Sequence, residues 1–326
     1  MLWILFVILS ATIFITGKKL VIYGDILAEK LSLGHTTVGI IFVASITSLP
    51  ELITGVSAVT LADSPDIAVG EIFGSCMFNL LILAILDAFY KDKPVTTQVH
   101  YGLTLSTTFG IILITVALSG ILLKTIIPSV GWINLTSIII VFLYISSIRI
   151  ITIYEKNLIE EAVQELQYED IDTKNVLVKY LINSVILVIS ALFLPKVGKE
   201  ITEEYGLSES FFGTLFVALV TSLPEFAVSL SAVKLNLLTM AVANILGSNV
   251  FNIFIIAIND LFYIKGSIFN HIDTSNIIPA ISSILMSSVV IIGLIYRAEK
   301  KIGMFAYESI VLIFMYLLTI YLMYIF

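Results

Sequence analysis

Apolar runs of about 20 residues follow one another along the chain, separated by short polar stretches. An α-helix needs about 20 apolar residues to cross the hydrocarbon core of a bilayer. The pattern therefore predicts an all-α polytopic membrane protein. It places ten transmembrane helices at about residues 1–25, 36–60, 66–88, 101–123, 129–152, 177–199, 211–235, 239–262, 275–297 and 304–326.

The longest polar connection, at residues 154–176, is rich in acidic side chains. It separates residues 1–153 from residues 177–326, and each part contains five predicted helices. We interpret the connection as an acidic cytoplasmic linker. A regulatory Ca²⁺ site is the alternative interpretation, although the acidic residues lack the spacing of an EF-hand.

The two halves contain an internal repeat. Residues 39–79 read GIIFVASITSLPELITGVSAVTLADSPDIAVGEIFGSCMFN, and residues 213–252 read GTLFVALVTSLPEFAVSLSAVKLNLLTMAVANILGSNVFN. The two sequences align with one single-residue gap. Because five is an odd number of crossings, the second half must enter the membrane from the opposite side. Inverted five-helix repeats are typical of secondary transporters, whose binding site lies near the membrane midplane, but a channel can also be built from repeats.

Composition and charge narrow the class of protein. The chain is 59% hydrophobic and 13% charged, with a mean hydropathy of +1.07, whereas soluble domains are about 25% charged. The net charge of −7 argues against nucleic acid as a partner, and the sequence has no GxxxxGK phosphate loop for a nucleotide. Cys76 is the single cysteine, which excludes an intrachain disulfide.

The basic residues predict an orientation. Four of the 17 fall on one side of the predicted topology and the rest on the other. Since Lys and Arg are enriched in cytoplasmic loops, we expect a plasma (cell) membrane protein with its N-terminus and its C-terminus outside and its central loop in the cytoplasm. The stretch before Lys18 lacks a basic residue, so we interpret it as a retained helix and not as a cleaved signal peptide. The four predicted outer lysines are Lys124, Lys196, Lys199 and Lys265.

The repeated motif TSLPE places one carboxylate of each half near the bilayer centre, at Glu51 and Glu225. A charged side chain at that depth costs about 2.5–3.5 kcal/mol on insertion scales. The repeated helices offer no Lys or Arg near the midplane to neutralise it. We therefore expect the missing counter-charge to be a mobile cation or a proton.

The proline of the same motif supplies further oxygen ligands. Pro50 and Pro224 lack the N–H that would bond a carbonyl of the preceding turn, and their rings distort that turn. Distortion can direct neighbouring carbonyls, such as those of Thr47 and Thr221, toward a cavity. Carboxylate, hydroxyl and carbonyl oxygens suit Ca²⁺, Mg²⁺ or Na⁺ better than zinc or copper.

The helix after each motif is expected to line the other side of the cavity. Positions spaced by four residues share one face of a helix, and glycine allows neighbouring helices to approach closely. In the first half this face contains Glu71, either at an external vestibule or in water at a helix end. The remaining polar positions are Ser75 and Asn79 in the first half and Asn244, Ser248 and Asn252 in the second, beside Gly74 and Gly247.

TSLPE followed by GSCMFN, and TSLPE followed by GSNVFN, resemble the paired alpha repeats of the sodium/calcium exchangers of the cation/calcium antiporter superfamily. The resemblance extends over essentially the whole chain. It implies alternating access, with Glu51 and Glu225 as shared ligands of Ca²⁺ and Na⁺. It also implies backbone carbonyl ligands at Thr47, Thr221, Ala44 and Ala218, hydroxyl ligands at Ser48, Ser222, Ser75 and Ser248, and Asn79 at the central site with Asn252 opposite it.

Three departures from the pattern of that family involve four residues. Ile46 and Val220 stand where the family usually has glycine, Asn252 where it often has aspartate, and Glu71 where it often has asparagine. With Asn252 neutral, the central cluster of two glutamates and two asparagines has at most two negative charges. This charge count leaves open the stoichiometry and whether the counter-ion is Na⁺ or H⁺.

The resulting hypothesis is a secondary antiporter, not an enzyme, that exchanges Ca²⁺ for Na⁺ and needs no cofactor. The alternatives are a cation/H⁺ exchanger, an exchanger that prefers Mg²⁺ or Mn²⁺, and a passive cation channel. The predicted partners are inorganic cations and the lipid bilayer, and a monomer is the working interpretation of its assembly.

Overall fold

The computed structural model describes residues 1–30, 47–90, 93–159, 173–234 and 236–325. These residues are almost entirely helical, as the hydropathy pattern predicts. The α-helices are α1 (Leu2–Lys30), α2 (Leu49–Thr60), α3 (Pro65–Phe89), α4 (Leu103–Leu122), α5 (Leu135–Ile159), α6 (Thr173–Tyr205), α7 (Glu209–Phe212), α8 (Ala218–Thr221), α9 (Leu223–Lys234), α10 (Leu238–Phe262), α11 (Ile268–His271), α12 (Ile277–Tyr296) and α13 (Tyr307–Ile325).

Shorter elements connect the helices. A π-helical turn at Gly213–Val217 joins α7 to α8, and 3₁₀ turns lie at Val95–Thr97 and Thr274–Asn276. One small departure from an all-α chain is a hairpin of two-residue strands, β1 (Ser129–Val130) and β2 (Ile133–Asn134), which pair antiparallel before α5.

Within the described residues, eight helices are long and apolar enough to cross a membrane, namely α1, α3, α4, α5, α6, α10, α12 and α13. A ninth crossing is formed if Glu209–Thr221 and Leu223–Lys234, which meet at an angle of 44°, are one broken span. The predicted crossing at residues 36–60 lies partly outside the described residues, and its described part is α2. The chain is therefore an integral membrane protein, while the count of ten helices stays a prediction.

Helices α3 and α10 form the centre of the bundle. In each, 78% of the most apolar stretch is buried inside the protein, compared with 28% or 29% in α1, α5 and α6. A helix that is apolar around its whole circumference belongs in the interior of a bundle. These two helices carry the GSCMFN and GSNVFN motifs, so the fold places both motifs at its core.

Aspartates at equivalent positions end the two central helices. The backbone N–H of Val95 donates a hydrogen bond of 2.9 Å to Oδ1 of Asp87. The N–H of Ile268 donates one of 2.7 Å to Oδ1 of Asp260. In both cases the donor lies eight residues after the aspartate, so each carboxylate fixes the loop that follows its own helix.

The other oxygen of each aspartate binds a more distant helix. Ser309 near the start of α13 donates a hydrogen bond of 3.2 Å to Oδ2 of Asp87, and Ser137 near the start of α5 donates one of 2.6 Å to Oδ2 of Asp260. Asp87 also forms an ion pair with the almost buried Lys301, at 3.0 Å. The two halves thus repeat the same contacts, and among the described residues Asp87 pairs with a lysine whereas Asp260 does not.

Basic side chains contact two different regions of the described structure. Lys199 donates hydrogen bonds of 3.0 Å to the carbonyls of Ala62 and Asp63, and Lys265 forms a 2.6 Å ion pair with Asp63. This contact lowers the pKa of Asp63 below its ordinary value. Arg297 instead donates to the carbonyl of Val99, near the loop that follows α3. Lys199 and Lys265, two of the four lysines predicted to share the outer side, therefore lie together at Asp63, whereas the absolute orientation stays a prediction.

Candidate functional site

In both TSLPE motifs a helix begins directly after the serine. Ser48 has φ −88° and ψ 12°, and Ser222 has φ −88° and ψ 5°, so the two serines have nearly the same backbone geometry. New helices begin at the next residue, and proline is tolerated in the first turn, where its missing N–H has no partner to lose. Glu51 and Glu225 then lie in the first turns of α2 and α9. The partial positive charge of a helix N-terminus favours a carboxylate there.

The two motifs exchange hydrogen bonds across the interface between the halves. Ser48 Oγ donates to Glu225 Oε1 at 3.1 Å, and Ser222 Oγ donates to Glu51 Oε1 at 3.1 Å. All four side chains are fully buried. Each serine thus orients the carboxylate of the other half, which brings the two predicted acidic ligands together in one cluster.

One oxygen of each carboxylate lacks a partner among the described residues. Glu51 Oε2 and Glu225 Oε2 are buried without a hydrogen bond, as are Oδ1 of Asn79 and both side-chain polar atoms of Asn252. A buried polar atom left unsatisfied costs about 1–3 kcal/mol, and more when it is charged. None of the three ion pairs formed by the described residues involves either glutamate. The cluster therefore offers oxygen atoms to a cation that would satisfy them.

Hydroxyl groups flank the carboxylate pair in equivalent positions. Thr47 Oγ1 lies 3.3 Å from Ser248 Oγ, and Thr221 Oγ1 lies 3.5 Å from Ser75 Oγ. All four residues are buried. The structure thus joins the threonine of each TSLPE motif to the GS serine of the other half, and it places two pairs of neutral oxygens beside the acidic pair.

Asn79 is held by Asn249, which the sequence analysis did not select. Asn79 Nδ2 donates to Asn249 Oδ1 at 2.9 Å, and Asn249 Nδ2 donates to the carbonyl of Cys76 at 3.1 Å. This chain of bonds commits the amide nitrogen of Asn79 and leaves its oxygen available. Asn252 lacks a comparable clamp among the described residues, because Cys76 occupies the position equivalent to Asn249.

The predicted carbonyl ligands at Ala44 and Ala218 are not seen as free oxygens facing the cluster: one lies outside the described residues and the other accepts hydrogen bonds. Ala44 lies outside the described residues. The carbonyl of Ala218 accepts hydrogen bonds from the N–H of Ser222 at 3.1 Å and from the hydroxyl of Thr221 at 3.3 Å. An ion bound to Ala218 would therefore share its carbonyl with these donors.

Glu71 is fully buried, so the interpretation that it faces water at a helix end is wrong. The side chain turns into the bundle because Thr54 on α2 donates a hydrogen bond to its Oε1. Close packing holds α3 in this register. A Cβ built on Gly74 would lie 2.3 Å from the carbonyl oxygen of Thr214 in the π-helical turn, so only glycine fits there.

The donor set of the whole cluster is oxygen-rich. The described residues contain no group of three or more His, Cys, Asp or Glu side chains arranged to hold one metal ion. Cys76, which is free and buried, donates only a weak contact of 3.9 Å to the carbonyl of Asn249. A cation at this place would be bound by two carboxylates with amide and hydroxyl oxygens, which suits hard cations.

The model of the sodium/calcium exchanger protein family matches residues 1–153 and 176–325. The chain belongs to this family. It is accordingly a membrane transporter of inorganic cations, and its family is not one of enzymes. A relative described as an uncharacterized membrane protein of Methanocaldococcus jannaschii is 26% identical over 330 residues, which cover 96% of this chain and 97% of the relative.

Solved structures share the fold. The H⁺/Ca²⁺ exchanger CAX superposes with a TM-score of 0.75 at 13% sequence identity, covering 99% of this chain and 85% of that one. The sodium-calcium exchanger NCX_Mj superposes with a TM-score of 0.64 at 21% identity, covering 97% of this chain and 96% of that one. At these identities the likeness establishes the common architecture and leaves the counter-ion open.

Proposed function

We propose that this transporter is a secondary antiporter that exchanges Ca²⁺ for Na⁺ at the pair formed by Glu51 and Glu225. The observation that carries the proposal is the reciprocal binding of each carboxylate by the serine of the other half, with one oxygen of each left unpaired. The two carboxylates repel each other when both are ionised, and no basic side chain of the described helices forms an ion pair with either. A bound cation removes the repulsion.

The charge and the ligands fit Ca²⁺. Two carboxylates balance one divalent ion, and Ca²⁺ takes 6–8 oxygen ligands in flexible geometry. The unpaired oxygens of Asn79 and Asn252 add two neutral ligands to the carboxylate oxygens. Mg²⁺ demands near-octahedral geometry and loses its water reluctantly, so a buried cluster of this kind favours the larger ion.

The same carboxylates provide the coupling. Na⁺ is a hard monovalent cation, and the hydroxyl pairs Thr47–Ser248 and Thr221–Ser75 offer it neutral oxygens on both flanks of the acidic pair. Because Na⁺ and Ca²⁺ would share Glu51 and Glu225, one must leave before the other binds. When the site is empty and both carboxylates are charged, the protein would resist the change from one open state to the other. Transport of one ion therefore requires return of the other.

Alternating access is the mechanism that this arrangement supports. We propose that residues 1–153 and 177–326 are inverted five-helix repeats, that residues 154–176 form the cytoplasmic linker and that both termini lie outside the cell membrane. The equivalent turns at Ser48 and Ser222 would then open toward opposite sides. Rocking of one repeat against the other would expose the site first to one side and then to the other.

Exchange against H⁺ is the second candidate. The structural likeness to an H⁺/Ca²⁺ exchanger motivates it, and carboxylates without a basic partner can bind protons as well as Na⁺. The flanking hydroxyl pairs favour Na⁺, because a proton needs no additional oxygen ligands.

The test is uptake of radiolabelled Ca²⁺ into proteoliposomes that contain the full chain, with either a Na⁺ gradient or a pH gradient imposed. The proposal predicts uptake driven by outward Na⁺ and abolished by Glu51→Gln or Glu225→Gln. The control variant is Glu308→Gln, which changes a nearly buried carboxyl that bonds Thr96, distant in sequence from both motifs. Uptake driven by pH alone would replace Na⁺ by H⁺, and flux without any counter-ion would indicate a channel.

A further inference from the structure

The segments that contact Asp87 and Asp260 from the opposite half have the same structure. Asp87 contacts the segment KIGMFA at residues 301–306, and Asp260 contacts the segment SVGWIN at residues 129–134. Each segment pairs antiparallel across a tight turn, namely Val130 with Ile133 and Ile302 with Phe305. The third residue of each is a glycine with positive φ, at 67° and 64°. The two segments are therefore equivalent position by position.

A lysine supplies a positive charge at Asp87. Lys301, the first residue of its segment, places Nζ 3.0 Å from Oδ1 of Asp87 and donates to the carbonyls of Asp87 and Tyr90 at the end of α3. The C-terminal end of a helix favours a cation. The equivalent residue of the other segment is Ser129, which is exposed and has no charge. The second half therefore repeats the aspartate without the lysine.

The oxygens that surround the lysine have counterparts at the end of α10. Asp260 is fully buried, and no ion pair formed by the described residues includes it. The carbonyls of Asp260 and Tyr263 correspond to the two that accept hydrogen bonds from the lysine. The N–H of Ile264, which would bond the Asp260 carbonyl in a continued helix, donates to Phe262 at 3.1 Å instead. Carboxylate and carbonyl oxygens thus meet here as they do in the other half.

Ser267 adds an oxygen that the first half lacks. It lies seven residues after Asp260, and its side chain faces the same carboxyl group. Its hydroxyl is buried and has no hydrogen-bond partner among the described residues. The equivalent residue of the first half is Pro94, whose side chain has no polar atom. A hydroxyl therefore replaces a proline in the same half in which a serine replaces the lysine.

We infer that the end of α10 binds an alkali-metal cation, Na⁺ or K⁺, at the position that the Lys301 ammonium group takes in the other half. The ligands are Oδ1 of Asp260, the carbonyl oxygens of Asp260 and Tyr263, and the hydroxyl of Ser267. Oxygen ligands of these kinds suit hard cations. One carboxylate balances one monovalent ion, as it balances one lysine, and would leave a divalent ion with an excess of charge.

The ion has a structural role between the two halves. Asp260 also accepts hydrogen bonds from the N–H of Asn134 at 2.7 Å and from the hydroxyl of Ser137 at 2.6 Å, both in the first half. Asp260 follows Asn252 by eight residues, or about 12 Å along the helix axis. The ion is thus separate from the central carboxylate pair, holds α10 to the segment before α5, and takes no part in the exchange.

Thermal unfolding of the purified full chain in detergent tests the inference. The chloride salts of Na⁺, K⁺ and N-methyl-D-glucamine are compared at one ionic strength, in a Glu51→Gln/Glu225→Gln background that removes the charges of the central pair. An ion that binds only the folded state raises the unfolding temperature with its concentration. We expect a rise of about 2 °C or more between about 1 and 100 mM Na⁺ or K⁺. Equal unfolding temperatures in the three salts would refute the site.

The variant Ser129→Lys locates the ion. It supplies the ammonium group that Lys301 supplies in the other half, so it should stabilise the chain in N-methyl-D-glucamine and abolish the response to Na⁺ and K⁺. Asp260→Asn should abolish the response as well. Val130→Lys is the matched control, because it adds the same charge on the opposite face of the strand and should keep the response. A response that survives both Ser129→Lys and Asp260→Asn would place the ion elsewhere and contradict the inference.

Two further comparisons keep the test decisive. Ser267→Ala removes one neutral ligand and should raise the ion concentration for half-maximal stabilisation by about fivefold, the equivalent of about 1 kcal/mol. Stabilisation by Ca²⁺ and not by Na⁺ or K⁺ would refute the monovalent assignment. If the glutamine background or Asp260→Asn fails to fold, the difference between Ser129→Lys and Val130→Lys in the otherwise unchanged chain decides, since both substitutions lie at exposed residues.

Discussion

Ser48 of the first TSLPE motif donates its hydroxyl hydrogen to Glu225 of the second, over 3.1 Å and 177 residues of chain. Ser222 of the second motif donates in the same way to Glu51 of the first. Each half therefore supplies a carboxylate and the donor that orients the carboxylate of the other half. This relationship makes the cation site a property of the interface between the halves.

Ser48→Ala and Ser222→Ala should weaken Ca²⁺ binding to similar extents. A hydrogen bond to a charged group contributes about 1.5–3 kcal/mol, so loss of either hydroxyl should raise the concentration of Ca²⁺ for half-maximal uptake by about tenfold or more. The measurement is the Ca²⁺ dependence of uptake into proteoliposomes. Ser231→Ala, an exposed serine on α9 whose hydroxyl bonds within its own helix, serves as control. A tenfold effect of one serine without an effect of the other would contradict the reciprocal arrangement.

Asn249→Ala should reduce Ca²⁺ affinity although Asn249 is not a proposed ligand. Without the 2.9 Å bond from Asn79, the Asn79 amide is free to rotate and its oxygen is no longer directed by a partner. We expect about a threefold to tenfold loss in Ca²⁺ affinity, corresponding to one neutral hydrogen bond of about 1 kcal/mol. Cys76→Ala is the control, because it keeps the backbone carbonyl that accepts from the Asn249 side chain and removes only the weak 3.9 Å contact of the thiol with the Asn249 carbonyl. Equal affinities of both variants would refute a positioning role for Asn249.

Gly74→Ala should impair folding and transport, whereas Gly110→Ala should be tolerated. The new methyl group at Gly74 would meet the Thr214 carbonyl at 2.3 Å and force α3 away from the π-helical turn. The methyl group at Gly110 has no protein atom within 4 Å, and alanine is favoured over glycine inside a helix by about 1 kcal/mol. Thermal unfolding in detergent and Ca²⁺ uptake are the measurements. A harmless Gly74→Ala would mean that α3 is not held at this distance.

Asp87→Asn should destabilise the protein more than Asp260→Asn. Both substitutions weaken contacts with the following loop and a distant helix. Only Asp87→Asn also removes the carboxylate that neutralises the almost buried Lys301, which then keeps only its bonds to the carbonyls of Asp87 and Tyr90. Breaking a buried ion pair costs about 3–5 kcal/mol, against about 1–3 kcal/mol for a hydrogen-bond partner alone. The unfolding temperature in detergent measures the difference. The double variant Asp87→Asn/Lys301→Met should recover part of the loss; no recovery would show that the ion pair is not the cause.

The sequence predicted the acidic pair because two motifs could be aligned and no basic residue was near them. It did not predict Asn249 as the partner of Asn79, or Thr54 as the partner of Glu71, because those bonds join different helices. In the case of Asn249 the signal was available: it is the polar residue opposite Cys76 in the aligned motifs. Predicting contacts between helices requires the rotation and offset of each helix against its neighbours, and the hydropathy pattern does not give these.

The helix pattern was also predicted only at coarse resolution. The predicted crossing at residues 211–235 is one apolar run, but the structure divides it into α7, the π-helical turn Gly213–Val217, α8 and α9. Pro224 indicated the break before α9, whereas no residue of the π-helical turn has a comparably clear signature. Apolar character determines that a segment crosses the membrane, and backbone hydrogen bonds determine where it bends.

Competition between Ca²⁺ and Na⁺ for the purified full chain tests the central claim most directly. Equilibrium dialysis with radiolabelled Ca²⁺ should give one Ca²⁺ per chain, displaced by Na⁺ and absent from both Glu51→Gln and Glu225→Gln. Simultaneous binding of Ca²⁺ and saturating Na⁺, or full Ca²⁺ binding by either glutamine variant, would contradict a single carboxylate pair shared between the exchanged ions.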